Sequence, residues 1–391
     1  MGRARLLVVG HALRPSGYAR VLESLLPVLA AELDTTLFAV NHYGEVPAAD
    51  RPYRLRASGV MGDRTGRDQL PTLLRELEPD VVLLHDDSFV LRSQRPALDA
   101  YRRTRPGARA IAYCPSDWLR LPRPMAAALS GMDAAVFYTE AAREAALASF
   151  AEHRMDPPPL AVVPHGVDQD VFRPIARDEA RRSLFGDRPE LAGAFIVLNA
   201  NRNVLRKRID RTLRAFAQLA PGRPRARLYL HMGMLDQGYD VPALARELGI
   251  ADRLIAATGA RFHPRVPDDR LNLIYNACEV GINTADAEGF GLVSLEHAAT
   301  GAAQVVPGHP ACAEIWDGSG LVASAGEAGN ALARLHDDPE LLARMSARAR
   351  AHARAPERSW PAVGRRWESV IAACLSSSEA AGARQSRRLL A

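Results

Sequence analysis

Short uninterrupted apolar runs alternate along this chain with longer segments of helical period. In the first half RLLVV (5–9), TTLFAV (35–40), DVVLLH (80–85), ARAIAY (108–113), AAVFYT (134–139) and LAVVPHGV (160–167) read as strands. Their apolar residues do not alternate with polar ones, so both faces of each strand must be covered, as in a parallel sheet. The stretch ARVLESLLPVLAAEL (19–33) between the first two reads as a helix. The second half repeats the pattern with AFIVLNAN (194–201), ARLYLHM (226–232), LIAAT (254–258), EVGINTA (279–285), AQVVP (303–307) and GLVAS (320–324). Between the first two of these, IDRTLRAFAQLA (209–220) puts Ile209, Leu213, Phe216 and Leu219 on one helical face. Two βα-repeating halves predict an α/β protein of two doubly wound, Rossmann-like domains. A chain of 391 residues also exceeds what one core usually organises. The join is expected near RPIARDEARRSLFGDRPELAG (173–193), which is charged and carries Pro and Gly. The expected domains are 1–175 and 176–358, followed by an amphipathic helix over 359–376 and a disordered tail at 377–391, where apolar content is low.

Composition narrows the class. Apolar residues make up 48 % of the chain and charged ones 24 %, as in an ordinary soluble enzyme. The net charge of +5 is compatible with anionic ligands, yet the charges are dispersed along helices. No aromatic-interleaved basic face or known binding module supports nucleic acid as a partner. The four cysteines, Cys114, Cys278, Cys312 and Cys374, show no CxxC spacing, which fits reduced thiols in a cytoplasmic protein. The apolar run at the N-terminus is broken by His11 and Arg14, too soon for a signal peptide, and Leu6 fails the myristoylation pattern. No stretch approaches the ~20 apolar residues of a spanning helix, so membrane insertion is not expected. Abundant Ala and the near-replacement of Lys by Arg suggest a GC-rich, bacterial genome.

One residue stands against that drift. Among 50 Lys and Arg, Lys207 is the single lysine. Either it survives by chance, or a compact point charge is needed where a planar guanidinium cannot serve. Its context, FIVLNANRNVLRKRID (195–210), reads strand, loop, helix, with Arg202 and Lys207 five apart at a helix N-terminus. Cations there oppose the helix dipole, so an anion such as a diphosphate is the expected occupant. A second loop, NTADAEGFGLVSLEHAATG (283–301), carries Glu288 and the glycines Gly289 and Gly291, which allow close backbone approach, before a helix stopped by Gly301. It lacks the third glycine of a dinucleotide fingerprint, so a nicotinamide site is not read here. Glu288 and Glu296 are eight apart, about 12 Å along a helix at ~1.5 Å per residue. That exceeds the roughly 5–9.5 Å of a hydrolytic carboxylate pair. They read instead as contacts to different parts of one long ligand.

In that order, EGFGLVSLE (288–296) resembles the E-x7-E motif of retaining glycosyltransferases of the GT-B fold (glycosyltransferase family 4), and Arg202 and Lys207 resemble that family's diphosphate-binding pair. VVPHGVDQDVFRP (162–174), RVPDDRLNLIYNACEVGINTADAEGFGL (265–292) and SWPAVGRRWESV (359–370) are similar to its connecting loop, preceding helix and strand, and closing helix. The resemblance is dense from about 160 to 316 and weaker before. It implies two Rossmann-like domains facing a cleft, an acceptor-binding N-terminal domain and a C-terminal helix crossing back to it. It implies transfer of a hexose-type sugar, with retention, from a nucleotide-diphosphate sugar (UDP-sugar favoured over GDP-sugar) to a hydroxyl, without metal or further cofactor. Arg202 and Lys207 would neutralise the diphosphate with the backbone amides of Leu292 and Val293. Glu296 would hold the ribose, and Glu288 the sugar. Gly289, Phe290, Gly291 and, from the loop GHALRPSGYARV (10–21), Gly17 would complete the donor site.

The first domain departs from the family pattern. Where the family often has a His, AIAYCPSD places Tyr113, Cys114, Pro115 and Asp117. Asp117 reads either as the group that orients or deprotonates an acceptor hydroxyl or as a helix cap. His85 reads either as a catalytic or as a structural histidine, and Gly17 equally as part of a tight turn. The D-x-D string Asp168-Gln169-Asp170 fits turn and capping roles better than a metal. The competing readings are a nucleotide-sugar epimerase or phosphorylase of the same fold, and a basic nucleic-acid-binding protein. The acceptor is read as a small molecule, and the oligomeric state is not legible.

Overall fold

A computed structural model describes residues 2–13, 16–59, 61–115, 120–256, 263–264 and 266–389. The chain divides into two units, Met1–Gly166 with Trp360–Ala391, and Val167–Ser359. The first contains β1 (Arg5–Gly10), α1 (Gly17–Leu29), β2 (Asp34–Tyr43), β3 (Arg54–Ser58), α2 (Leu70–Leu77), β4 (Val81–His85), α3 (Ser88–Thr104), β5 (Arg109–Tyr113), α4 (Arg123–Leu129), β6 (Ala134–Phe137), α5 (Glu140–His153) and β7 (Leu160–Val162). The second contains α6 (Arg177–Phe185), β8 (Phe195–Asn199), α7 (Ile209–Leu219), β9 (Ala226–Leu230), α8 (Val241–Glu247), β10 (Leu254–Ala256), α9 (Asp268–Asn276), β11 (Val280–Ile282), α10 (Leu292–Ala299), β12 (Ala303–Pro307), α11 (Pro310–Trp316), β13 (Leu321–Ala323), α12 (Ala328–Asp337) and α13 (Pro339–Ala353). The last helix, α14 (Trp360–Leu389), returns to the first unit. The side chains of 377–391, where a disordered tail is expected, lie outside the described residues.

Each unit is built on one parallel sheet. The orders are β3-β2-β1-β4-β5-β6-β7 and β10-β9-β8-β11-β12-β13. In both, the chain leaves a central strand, fills one side, then returns to fill the other. The reversals lie between β1 and β4 and between β8 and β11, the doubly wound arrangement that the apolar runs predict. Strand cores such as Leu7, Val9, Val82 and Leu84 in the first unit and Val197, Leu228 and Val280 in the second are buried, because helices cover both faces.

The strand β3 was not visible in the apolar pattern. Its RLRAS sequence alternates, and it sits at a sheet edge where only one side needs a hydrogen-bonded neighbour. Arg54 holds it there, bonding Asp34 (2.7 Å) and Thr36 (3.1 Å) on β2. The expected strand 134–139 ends at Phe137, since Thr139 caps α5 by accepting the Ala142 N–H (3.2 Å). Unit 2 begins at Val167, ahead of the charged stretch 173–193. That stretch is held in the unit by Arg181 on α6, buried and bonded through one nitrogen to both carboxylate oxygens of Glu279 at 2.8 Å. Glu279 also accepts the Ile196 N–H of β8 (2.7 Å), so the buried charge is fully compensated. On α14, Gly364 lets the helix approach α1, where any Cβ would overlap Val28. Trp367 is fully buried edge-on to Tyr113, with ring centroids 4.7 Å apart. Among the described residues no helix is long and apolar enough to cross a membrane.

Candidate functional site

The reversal between β8 and β11 brings two loops side by side at the carboxyl ends of these strands, residues 200–208 and 283–291. This is where doubly wound sheets bind ligands. A buried polar relay fixes the two loops to each other. The Asn199 amide donates to Thr212 Oγ1 (2.8 Å) on α7, and Thr212 lies 2.7 Å from Thr284 Oγ1. Thr284 uses its one hydroxyl proton on the Arg208 carbonyl (2.9 Å), so Thr212 must be the donor in the middle link. The Asp286 N–H donates to the Arg206 carbonyl (2.9 Å), which closes the loops at the rim. Arg208 adopts a left-handed conformation (φ +48°) as the chain turns into α7, and its guanidinium bonds Asp210 (3.0 and 2.9 Å).

Lys207 sits in a single 3₁₀ turn, Leu205–Lys207, ahead of α7. Its ammonium donates to Asn201 Oδ1 (3.0 Å) and to Glu288 Oε1 on the opposite loop. Asn201 is oriented in turn by Asn199, whose side-chain oxygen accepts both the Asn201 amide and its N–H (3.0 Å each). Glu288 is buried and accepts from Asn283 Nδ2 (3.0 Å), with Arg206 Nη1 3.6 Å from its second oxygen. Burial alone would raise the Glu288 carboxyl, but Lys207 and Arg206 beside it hold it below the ordinary carboxylate range. The residues read from sequence as diphosphate and sugar ligands therefore form one ion pair. Arg202 is half exposed and faces elsewhere: its guanidinium bonds Asp236 (2.8 and 3.3 Å) on the loop after β9, which raises its pKa.

Gly291 stands at φ +91°, with open space where a Cβ would lie, so backbone conformation and not crowding requires glycine. It opens α10, whose first residues Leu292 and Val293 have no side-chain cap. Gly289 and Phe290 are buried just before it, and the Arg358 guanidinium lies over the Phe290 ring at 5.8 Å. Glu296, one turn into α10, is buried and accepts from the Tyr275 hydroxyl (3.0 Å) on α9. The Tyr275 ring in turn stacks on His297 with centroids 5.3 Å apart. Glu288 and Glu296 thus have different partners, Lys207 and Asn283 for one and the Tyr275 hydroxyl for the other.

Gly17 lies in the first unit. It opens α1 behind its cap Ser16, with neither positive φ nor crowding at its Cβ position. His85 ends β4 fully buried, with Nε2 3.1 Å from the Tyr138 hydroxyl and its ring stacked on Tyr113 at 4.8 Å. Burial, helped by His165 and His11, holds it neutral. Beside it His11 lies 3.3 Å from Asp86, and Tyr18 donates to Asp87 (2.7 Å). Asp117 lies outside the described residues. Asp168 caps a turn, accepting the N–H groups of Asp170 (3.1 Å) and Val171 (3.0 Å).

Sequence reasoning missed Asn201, Asn283, Arg206, Asp236 and Tyr275. The asparagines left a signal: in LNAN and GINT an amide directly follows an apolar strand core, where a buried polar group demands a partner. It also missed His309, which follows β12 and caps α11 through Nδ1, accepting the Cys312 N–H (3.4 Å). Burial lowers its pKa, and Glu288 acts on it in the opposite sense.

Residues 182–352 match the family described as glycosyl transferases group 1, all within the second unit. A D-inositol 3-phosphate glycosyltransferase of Streptomyces griseus is 37 % identical over 223 residues, covering 51 % of this chain and 46 % of that protein. Its counterpart in Mycobacterium marinum is 37 % identical over 155 residues, 38 % of this chain and 30 % of that one. The chain's matches thus span less than half the length of these relatives. Two solved structures share the whole fold. A sucrose-phosphate synthase from Thermosynechococcus elongatus superposes with a TM-score of 0.73 at 17 % identity, over 96 % of this chain and 100 % of that one. A trehalose 6-phosphate synthase from Burkholderia multivorans gives 0.72 at 15 % identity, over 98 % and 99 %. The fold is GT-B, two parallel-sheet Rossmann-like domains.

Proposed function

We propose that this GT-B chain is a glycosyltransferase that moves a hexose-type sugar from a nucleotide-diphosphate sugar to an acceptor hydroxyl with retention of anomeric configuration. The observation that carries the reading is the meeting of Lys207 and Glu288 on two loops at the β8/β11 reversal. A largely buried cation there suits a leaving diphosphate, and a buried carboxylate suits sugar hydroxyls. Lys207, with Arg202 turned from Asp236, neutralises the diphosphate, joined by the N–H groups of Leu292 and Val293 at the start of α10. Glu296 accepts the ribose hydroxyls, and Glu288 those of the sugar. Gly289, Phe290 and Gly291 shape the approach. Catalysis is then positioning together with stabilisation of the leaving charge, with no metal or further cofactor.

A UDP-sugar is favoured over a GDP-sugar, in keeping with a fold neighbour from E. coli whose structure holds UDP-2-fluoro glucose. The acceptor we assign is a small polyol or sugar phosphate, since the similar proteins are named for inositol 3-phosphate, sucrose phosphate and trehalose 6-phosphate. Assignment of Gly17 to the donor, of Asp117 to the acceptor and of the protein to the cytoplasm rests on the sequence alone. The test is a matrix of nucleotide sugars against such acceptors, read as free nucleotide released, with proton NMR of the product anomeric centre. Release with an inverted anomer would overturn retention. Absence of release with every donor would overturn the transferase reading.

A further inference from the structure

The contact between Lys207 and Glu288 has an electrostatic consequence. The ammonium that should meet a diphosphate is already engaged by a carboxylate in the same site, and Arg206 leans on that carboxylate from the other side at 3.6 Å. Both partners are largely withdrawn from water, with side chains 13 % and 6 % exposed, so their interaction is only weakly screened. Neighbouring groups hold the pair in place. Asn283 fixes one Glu288 oxygen, Asn201 fixes the ammonium, and the Thr212–Thr284 relay fixes the backbone of the lysine turn. Any diphosphate that takes Lys207 must share its cation with a fixed negative charge or displace it.

Two kinds of ligand meet this obstacle differently. A sugar-bearing donor brings hydroxyl groups that donate to Glu288 and replace the hydrogen bonds it loses. A bare nucleoside diphosphate brings only more negative charge, which leaves Glu288 repelled and unsatisfied in a buried place. We infer that Glu288 is a specificity-determining residue that competes with the diphosphate for Lys207, so that the site favours the sugar-bearing donor and expels the bare nucleoside diphosphate after transfer. The inference rests on the donor reading above and deepens it. Transfer and release are then linked by one ion pair, which opens for the donor and closes behind the leaving product.

This role differs in sign from a structural one. A pair that only supports the loops weakens every ligand when it is broken. A competing carboxylate strengthens bare diphosphates when it is neutralised. Calorimetric titration of wild type, Glu288→Gln, Glu288→Asp, Lys207→Gln and the Lys207→Gln/Glu288→Gln double variant, each checked for folding by circular dichroism, separates them. The probes are inorganic pyrophosphate, UDP, GDP and UDP-glucose, in buffer free of divalent cations. Glu288→Gln should bind pyrophosphate and the preferred nucleotide about tenfold more tightly, the equivalent of one charge-pair change of a pKa unit. The affinity ratio between UDP-glucose and UDP should fall by a similar factor. Glu288→Asp, one methylene shorter, should lie between, and supplies the test if Glu288→Gln does not fold. In the Lys207→Gln background the Glu288→Gln gain should shrink, since the two act as a pair. Equal or weaker binding of pyrophosphate and UDP by both Glu288 variants would overturn the inference and leave the donor reading intact. Failure of wild type to bind any of the four probes would overturn both.

Discussion

Lys207 shows what a single residue carries here. Its ammonium is matched to two oxygens, Asn201 Oδ1 and Glu288 Oε1, in a space already bounded by Arg206. Lys207→Ala should remove most transferase activity. Lys207→Arg should recover only part of it, because a planar fork cannot reproduce a point charge at the same reach. Steady-state nucleotide release for the three proteins checks this, and an alanine variant with wild-type turnover would contradict it. Glu288 adds a pH dependence. Its folded-state carboxyl titrates below the ordinary 4.5, held there against burial by Lys207 and Arg206. A depressed carboxyl contributes stability that is present above pH 4.5 and is lost as pH falls through the folded value. The melting-temperature gap between wild type and Glu288→Gln should therefore be widest near neutrality and narrow in acid. A gap that widens in acid would reverse the sign and sink the assignment.

At the scale of elements, the candidate site depends on how two loops are tied together. The directed chain from Asn199 through Thr212 and Thr284 to the Arg208 carbonyl spans β8, α7 and the loop after β11. Thr284→Val keeps the shape but removes both the acceptor for Thr212 and the donor for Arg208. It should cost about 1–3 kcal/mol, the range for leaving buried polar groups unsatisfied. If the relay positions Lys207, donor KM should rise as well, while Thr284→Ser restores both. Chemical denaturation together with donor titration distinguishes this from a purely structural loss, in which KM would stay constant. The elements were unevenly legible. Helix α7 and the central strands follow from apolar periodicity, because burial on both faces is a local compositional demand. The edge strand β3 escaped because one face and one edge are enough for it, and its Arg54 answers to Asp34 and Thr36 on the neighbouring strand.

At the scale of the whole molecule, the proposed donor site draws its counter-charge to a diphosphate from one loop, which carries Arg202, Arg206 and Lys207. Nucleotide release should therefore survive chelation by EDTA. Complete loss on chelation, restored by Mg²⁺ or Mn²⁺, would reopen Asp168, which caps a turn by accepting the Asp170 and Val171 N–H groups, and Asp170 beside it. Sequence by itself determined that there are two parallel α/β sheets, since continuous apolar runs between amphipathic helices leave few other ways to bury both strand faces. It also pointed to the loops around Lys207 and Glu288, because charge at a helix start and glycine before one are local anomalies. Only the tertiary structure decided how those loops meet. Lys207 and Glu288 are 81 residues apart, and the strand reversal, not any local pattern, makes them partners. Arg202 with Asp236 and Glu296 with Tyr275 are likewise pairs across separate elements that no local pattern announces. Charge and conformation are written residue by residue, whereas pairing depends on which strands lie side by side, and that is set by the order in which the sheet is filled.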